Sequence, residues 1–165
     1  MPTVRPATDA DADAMGALHV GAWRAAYADV MPAAYLAGLR AEDRAAMWRR
    51  AILDARAHIL VATDDDDAVQ GFACAGPERD EGGVGELFAL NVDPAAWGRG
   101  HGVALLAAAS ERLAVDWREA VLWVVDANAR ARALYEHAGW HADGVARHED
   151  VMGAVVSEVR YRRSL

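Results

Sequence analysis

The sequence predicts an α/β fold (α+β in the strict sense), a mixed central sheet with helices on both faces. Three observations predict it. Short runs of strand-type apolar residues recur between stretches whose apolar residues fall three and four apart. Their order reads β-α-α-β-β-β-α-β-α-β-β, which mixes crossover and hairpin connections. One run, "EAVLWVV", is apolar throughout, as a central strand covered on both faces must be. At 165 residues the chain suits one domain, 1–165, large enough to bury a core without disulfide staples. No repeat, linker or low-complexity block divides it.

Taken in order, "TVRP" reads as a short strand. "ATDADADAMGALHVGAWRAAYADV" reads as a helix, with Thr8 as N-cap, acids in the first turn, and Met15, Leu18, Ala22 and Ala25 on one stripe. "MPAAYLAGL" is a short helical segment and "AEDRAAMWRRAIL" a second helix. "AHILVATD" and "AVQGFACAGP" are strands joined through Asp64–Asp67, a run of like charges that suits a solvated hairpin turn better than a metal site. The loop "GPERDEGGVG" is polar and glycine-rich. In "ELFALNVD", Leu87 differs in parity from Leu90 and Val92. If all three face one core, the strand carries an extra residue, a bulge, near Ala89. After "WGRGHG" a helix carries Val103, Leu106, Ser110 and Leu113 at helical spacing. "NARARALYEHAGW" is a helix with Ala131, Leu134, Tyr135 and Ala138 inward and Gly139 as its stop. "HADGVAR" and "VVSEVRYRR" close the chain as strands, with His148, Glu149 and Asp150 read as the turn between them.

Composition narrows the chemistry. The net charge of -8 argues against a nucleic-acid partner and mildly favours a cationic small molecule. Every basic residue is arginine, which removes a P-loop lysine and a Schiff-base lysine. No G-x-S-x-G occurs, against a serine hydrolase. The single cysteine, Cys74, rules out an internal disulfide and a cysteine-rich zinc site; it reads as a buried small hydrophobe. The first residues are acidic, unlike a secretory or mitochondrial leader, and no apolar run is long enough for a bilayer. The expectation is a soluble, cytoplasmic protein with no membrane partner and no metal.

"WGRGHG" sets glycines at every second position. That spacing is neither G-x-G-x-x-G nor G-x-x-x-x-G-K. Glycines let a backbone approach a ligand closely, and the first amides of the following helix are unpaired. Several such amides could hold a pyrophosphate without any lysine, since a helix N-terminus favours an anion by about 0.3–1 kcal/mol per charge and each charge-assisted hydrogen bond adds about 1.5–3 kcal/mol. A tight turn with no ligand is the alternative.

"ELFALNVDPAAWGRGHGVALL" resembles the strand, bulge, loop and helix of the GNAT N-acetyltransferase superfamily, with its [Q/R]-x-x-G-x-[G/A] consensus. Gly100 and Gly102 match the consensus glycines, and Trp97 stands where Gln or Arg is usual. "NARARALYEHAGW" is similar to the family's N-x-x-A-x-x-x-Y-x-x-x-G-[F/W] helix, matched at Asn128, Ala131, Tyr135, Gly139 and Trp140. The order of elements also agrees, so the resemblance covers almost the whole chain. It implies a single-domain sheet splayed at the bulge in the fourth strand, with acetyl-CoA in the opening. Leu90, Asn91 and Val92 would face the pantetheine arm. Gly98, Arg99, Gly100, His101, Gly102 and Val103 would hold the pyrophosphate through backbone, with Asn128 and Tyr135 completing the cofactor site.

Acetyl transfer to an amine needs a neutral amine, a polarised carbonyl and a proton for the leaving thiolate. With an alkyl amine pKa near 10.4, about one molecule in a thousand is neutral at pH 7, a handicap of about 4 kcal/mol. Glu86, just before the bulge and on the parity of Phe88, is the first candidate base; a solvent-facing strand carboxylate is the other reading of it. Glu158 is the second, with a surface or salt-bridge role as its alternative. Tyr135, through the family match, is the candidate acid, its alternative being a core aromatic; Asn128 could be simply an N-cap. The backbone amide near Leu90 would polarise the carbonyl. His19, Trp23 and Tyr27 share a helix face, and the resemblance sets Trp23, Tyr27, Phe88 and Glu86 around the acceptor, a small-molecule or peptide amine. A non-catalytic acyl-CoA sensor or regulatory module is the competing class, and another nucleotide-binding α/β protein the third. The oligomeric state stays open, a homodimer included.

Overall fold

The computed structural model describes residues 1–80 and 82–165. β1 (Thr3–Pro6), β2 (His58–Thr63), β3 (Val69–Pro77), β4 (Gly85–Val92), β5 (Glu119–Val125), β6 (His141–Val151) and β7 (Ala154–Ser164) form one sheet in the order β1-β2-β3-β4-β5-β7-β6. Among the described residues, only the β4–β5 pair is parallel. α1 (Ala12–Ala26), α2 (Ala33–Gly38) and α3 (Ala41–Asp54) precede β2; α4 (His101–Leu113) joins β4 to β5, and α5 (Ala129–His137) follows β5.

Period-two alternation along the inner strands feeds two cores. Leu60, Ala62, Ala73 and Ala75 point to one face, where Leu105, Leu106, Ala109 and Leu113 of α4 and Tyr135 of α5 cover them. Ile59, Val61, Phe72 and Cys74 point to the other, under Met15, Leu18 and Ala22 of α1 and Trp48 of α3. Helices therefore cover both faces, as the patterning predicts.

The start of α1 is tied to β1 through Asp11. Its carboxylate takes both terminal nitrogens of Arg5 at 2.8 and 3.0 Å and the Thr8 amide at 2.7 Å. These bonds, Arg5 foremost, hold the Asp11 pKa down to about 2. Thr8 introduces a short 3-10 turn at Asp9–Asp11, so α1 proper begins three residues later than the acidic run suggests.

Three details depart from the sequence reading. Ala25 and Val103 are exposed, because each lies where its helix borders an open cleft rather than the sheet. His148, Glu149 and Asp150 are not a turn but the end of β6, paired with Ser157, Val156 and Val155. The turn is Met152–Gly153, both with positive φ (51° and 86°), the backbone that a two-residue hairpin requires.

Candidate functional site

The site begins with one surplus residue in β4. Cys74 pairs with Ala89 but Ala75 pairs with Leu87, so Phe88 is bulged out of the ladder, one position from where parity set it. On its other side β4 meets β5 only through Gly85, Glu86 and Leu87. Past the bulge that edge of β4 has no strand beside it. Leu90, Asn91 and Val92 instead border a cavity of about 560 Å³, whose far wall is Asn128–Ala131, Leu134 and Tyr135.

The glycine loop closes one end of this cavity. Gly98 and Gly100 take φ of 76° and 88°, the left-handed region closed to most side chains. Gly100 caps α4, whose first intrahelical bond runs from the Ala104 amide to the Gly100 carbonyl at 3.0 Å. The amides of His101, Gly102 and Val103 precede that bond and have no helical acceptor. A Cβ on Gly102 would stand 3.3 Å from Leu134 Cδ2, so the loop is packed tightly against α5. Gly98, Gly100, His101, Gly102 and Val103 border the cavity; Arg99 does not. The His101 ring is buried with Nδ1 unpaired. Trp97 donates its indole N–H to the Val92 carbonyl at 3.0 Å and lies under the Arg130 guanidinium, 4.2 Å from the ring centre. Backbone donors, a glycine floor and an extended apolar trough fit a long phosphorylated cofactor of the CoA kind.

A second cavity, about 130 Å³, adjoins the first. Tyr27, Leu90, Asn91, Asn128, Ala131 and Tyr135 border both cavities, so the two meet at Tyr135. Trp23, Tyr27, Phe88 and Trp123 supply aromatic walls, and Glu158 a carboxylate. Tyr135 is buried, and loss of solvent pushes its hydroxyl pKa well up. Burial also raises Tyr27, despite the Asn128 side-chain N–H that reaches its oxygen at 3.5 Å. Asn128 is at once the N-cap of α5, accepting from the Ala131 amide at 3.1 Å, and part of the cavity wall. Both readings of this residue hold together.

Glu86 lies elsewhere. It is buried, and Arg79 grips both its oxygens, Nη2 at 2.8 Å and Nε at 3.3 Å, while the same guanidinium stacks on Phe88 at 4.7 Å. Neither cavity is bordered by Glu86. The aromatic stripe of α1 divides: Trp23 and Tyr27 reach the smaller cavity, but His19 turns inward, accepting from Trp48 Nε1 at 3.0 Å. Cys74 is buried and its thiol pushed up to about 11 by loss of solvent, an inert environment. Sequence reasoning passed over Trp123, Arg79, Arg130 and Arg147. The alternation of "VVSEVRYRR" could have shown that Glu158 shares a face with Arg160, but the partner across the hairpin follows only from register. Among the described residues, no group of three His, Cys, Asp or Glu is placed to hold a metal, and no helix is long and apolar enough to cross a membrane.

Comparison with known proteins agrees with this geometry. Residues 22–140 match the Acetyltransferase (GNAT) family. An uncharacterized N-acetyltransferase, YuaI, of Bacillus subtilis (strain 168) is 34% identical over 131 residues, covering 78% of this chain and 74% of the relative. A mycothiol acetyltransferase of Beutenbergia cavernae is 43% identical over 82 residues, but that match spans only 27% of the relative's length. Among solved structures, the PaiA N-acetyltransferase of Thermoplasma acidophilum in complex with coenzyme A superposes with a TM-score of 0.80 over 100% of this chain and 99% of its own, at 18% identity, which establishes likeness of fold.

Proposed function

Because the chain belongs to the GNAT acetyltransferase family, we propose that it moves an acetyl group from acetyl-CoA to a primary amine of a small molecule or peptide, by direct attack in a ternary complex. The observation that carries this reading is the wall shared by the two cavities, with Tyr135 in it. One cavity is long and lined by free amides; the other is small and aromatic. A donor and an acceptor, one in each, would react beside that hydroxyl.

Acetyl-CoA supplies the acetyl group as a thioester, which an uncharged amine can attack without further activation of the acid. The chain's own residues do the rest. The amides at the start of α4 hold phosphate oxygens through hydrogen bonds that need no lysine. The edge of β4 beyond Leu87, which has no strand beside it, would orient an extended arm, and an amide near Leu90 would polarise the carbonyl. Tyr135, kept protonated by burial, gives its proton to the departing sulfur. Glu86 borders neither cavity, so it can receive the amine's proton only through a water. Trp23, Tyr27 and Phe88 flank the acceptor.

The test is release of free thiol from acetyl-CoA with a broad amine panel, compared with Tyr135→Phe. The expected result is turnover, and a kcat lower by about 10²–10⁴ in the variant with acetyl-CoA affinity nearly kept. A folded variant with unchanged kcat would return Tyr135 to a packing role. Acetyl-CoA binding with no acetylated amine would favour a sensor or regulatory module.

A further inference from the structure

We propose that Glu158 is the counter-ion for the acceptor, that the acceptor is a primary alkyl ammonium entering the smaller cavity end-on, and that it binds by displacing Arg147. The chemistry after binding rests on the transferase reading, but the cation site stands on its own geometry.

Among the described residues, Glu158 is the one charged group bordering this cavity, beside rings from Trp23, Tyr27, Phe88 and Trp123. Aromatic faces and a carboxylate together select a cation. Apart from the indoles, the other side-chain polar groups on the wall are Asn91, Asn128 and the hydroxyls of Tyr27 and Tyr135. A polyhydroxylated amine would leave most of its hydroxyls unpaired there, and an α-amino acid would bring a second carboxylate toward Glu158. A methylene arm ending in an ammonium suits both walls and charge.

The chain already carries an internal copy of such a ligand. The Arg147 guanidinium lies over Trp123, 4.2 Å from the ring centre, and its Nε donates to Glu158 Oε2. This is an alkyl cation seated on an aromatic face against the same carboxylate. Arg147 comes from β6, outside the cavity wall, and its side chain is 36% exposed, so it can swing away into solvent. An incoming ammonium would take the carboxylate it leaves.

The experiment needs no turnover. n-Butylammonium and the uncharged n-butanol are titrated into the whole protein while the tryptophan indole N–H signals are followed by NMR. The wild type should bind the ammonium and ignore the alcohol. Glu158→Gln should weaken ammonium binding at least tenfold. Arg147→Gln should strengthen it severalfold, because the internal competitor is gone. Equal response to ammonium and alcohol, an unchanged Glu158→Gln affinity, or weaker binding in Arg147→Gln would each overturn the proposal; circular dichroism confirms that both variants are folded. Kinetics with the same amine then separate the roles: Glu158→Gln should raise KM while kcat stays within about threefold, whereas a base would lose kcat. Ammonium binding with no amine of the panel acetylated would leave the cation site standing and sink the transferase reading; acetylation indifferent to Glu158 would do the reverse.

Discussion

His19 sits between Trp48, which donates to its Nδ1, and the Phe72 ring. Burial holds its pKa down, from an ordinary value near 6.5 to about 4. A neutral buried ring must charge on unfolding in acid, so its contribution is intact above about pH 6.5 and is lost as pH falls toward 4. The expected loss is at most about 3 kcal/mol. Urea titrations between pH 7 and 4 should show that slope in the wild type and a shallower one in His19→Gln, whose amide oxygen can still accept from Trp48; identical slopes would place the titrating group elsewhere. The same residue marks how far single side chains were legible. The spacing of His19, Trp23 and Tyr27 gave one shared face, and their rings do touch in series, at 5.4 and 5.3 Å. Spacing could not tell that the face crosses from core to cavity between the first ring and the second. For Glu86, parity gave the right strand position, but Arg79 reaches it from across a hairpin loop, a contact with no local signature.

At the scale of elements, β4 and the loop after it border the larger cavity, and the bulge and the left-handed loop backbone were readable because their rules are local. A parity break means a surplus residue, and glycine at alternate positions means backbone that side chains cannot follow. Gly100→Pro should therefore weaken CoA binding at least a hundredfold: proline fixes φ near −65° where the loop needs 88°, and removes an amide. Calorimetry on the folded variant checks this, and wild-type affinity would refute the backbone cradle. Trp97→Gln should stay within about tenfold of wild type, roughly 1.4 kcal/mol, since it costs the Arg130 stack and the Val92 hydrogen bond but no amide donor. The β6–β7 hairpin was less legible. Its polar tip imitates a loop, and only Met152–Gly153, with two positive φ values, reveals where the chain reverses.

Across the whole molecule, the sheet is two leaves, β1–β4 and β5–β7–β6, joined by a parallel pair of three residues. The order of elements along the chain was visible in the sequence. Which strands lie side by side was not, because β5 meets β7 and β4 meets β5 across long separations. A ligand in the larger cavity would touch β4 and the start of α4 on one side and α5 on the other, so CoA should stabilise the fold globally. At a hundredfold excess over Kd the gain is about 2.7 kcal/mol, or roughly 5–10 °C in Tm for a chain of this size. A thermal scan with and without CoA measures it, and no shift at saturating CoA would mean that the ligand does not bind the native state.

The split has one more consequence. A strand edge with unpaired amides and carbonyls is a template on which foreign polypeptide can polymerise, and proteins usually guard such edges with charge, proline or a bulge. Here the exposed stretch of β4 lies at the bottom of a trough, with α5 opposite and the glycine loop across one end. A strand pairing with this edge would have to enter the cavity between β4 and α5, since β4 lies inside the sheet and not at its rim. The same geometry that ends the β4–β5 ladder after three residue pairs thus sets the free edge inside a cavity, away from the rim where edge-to-edge association starts.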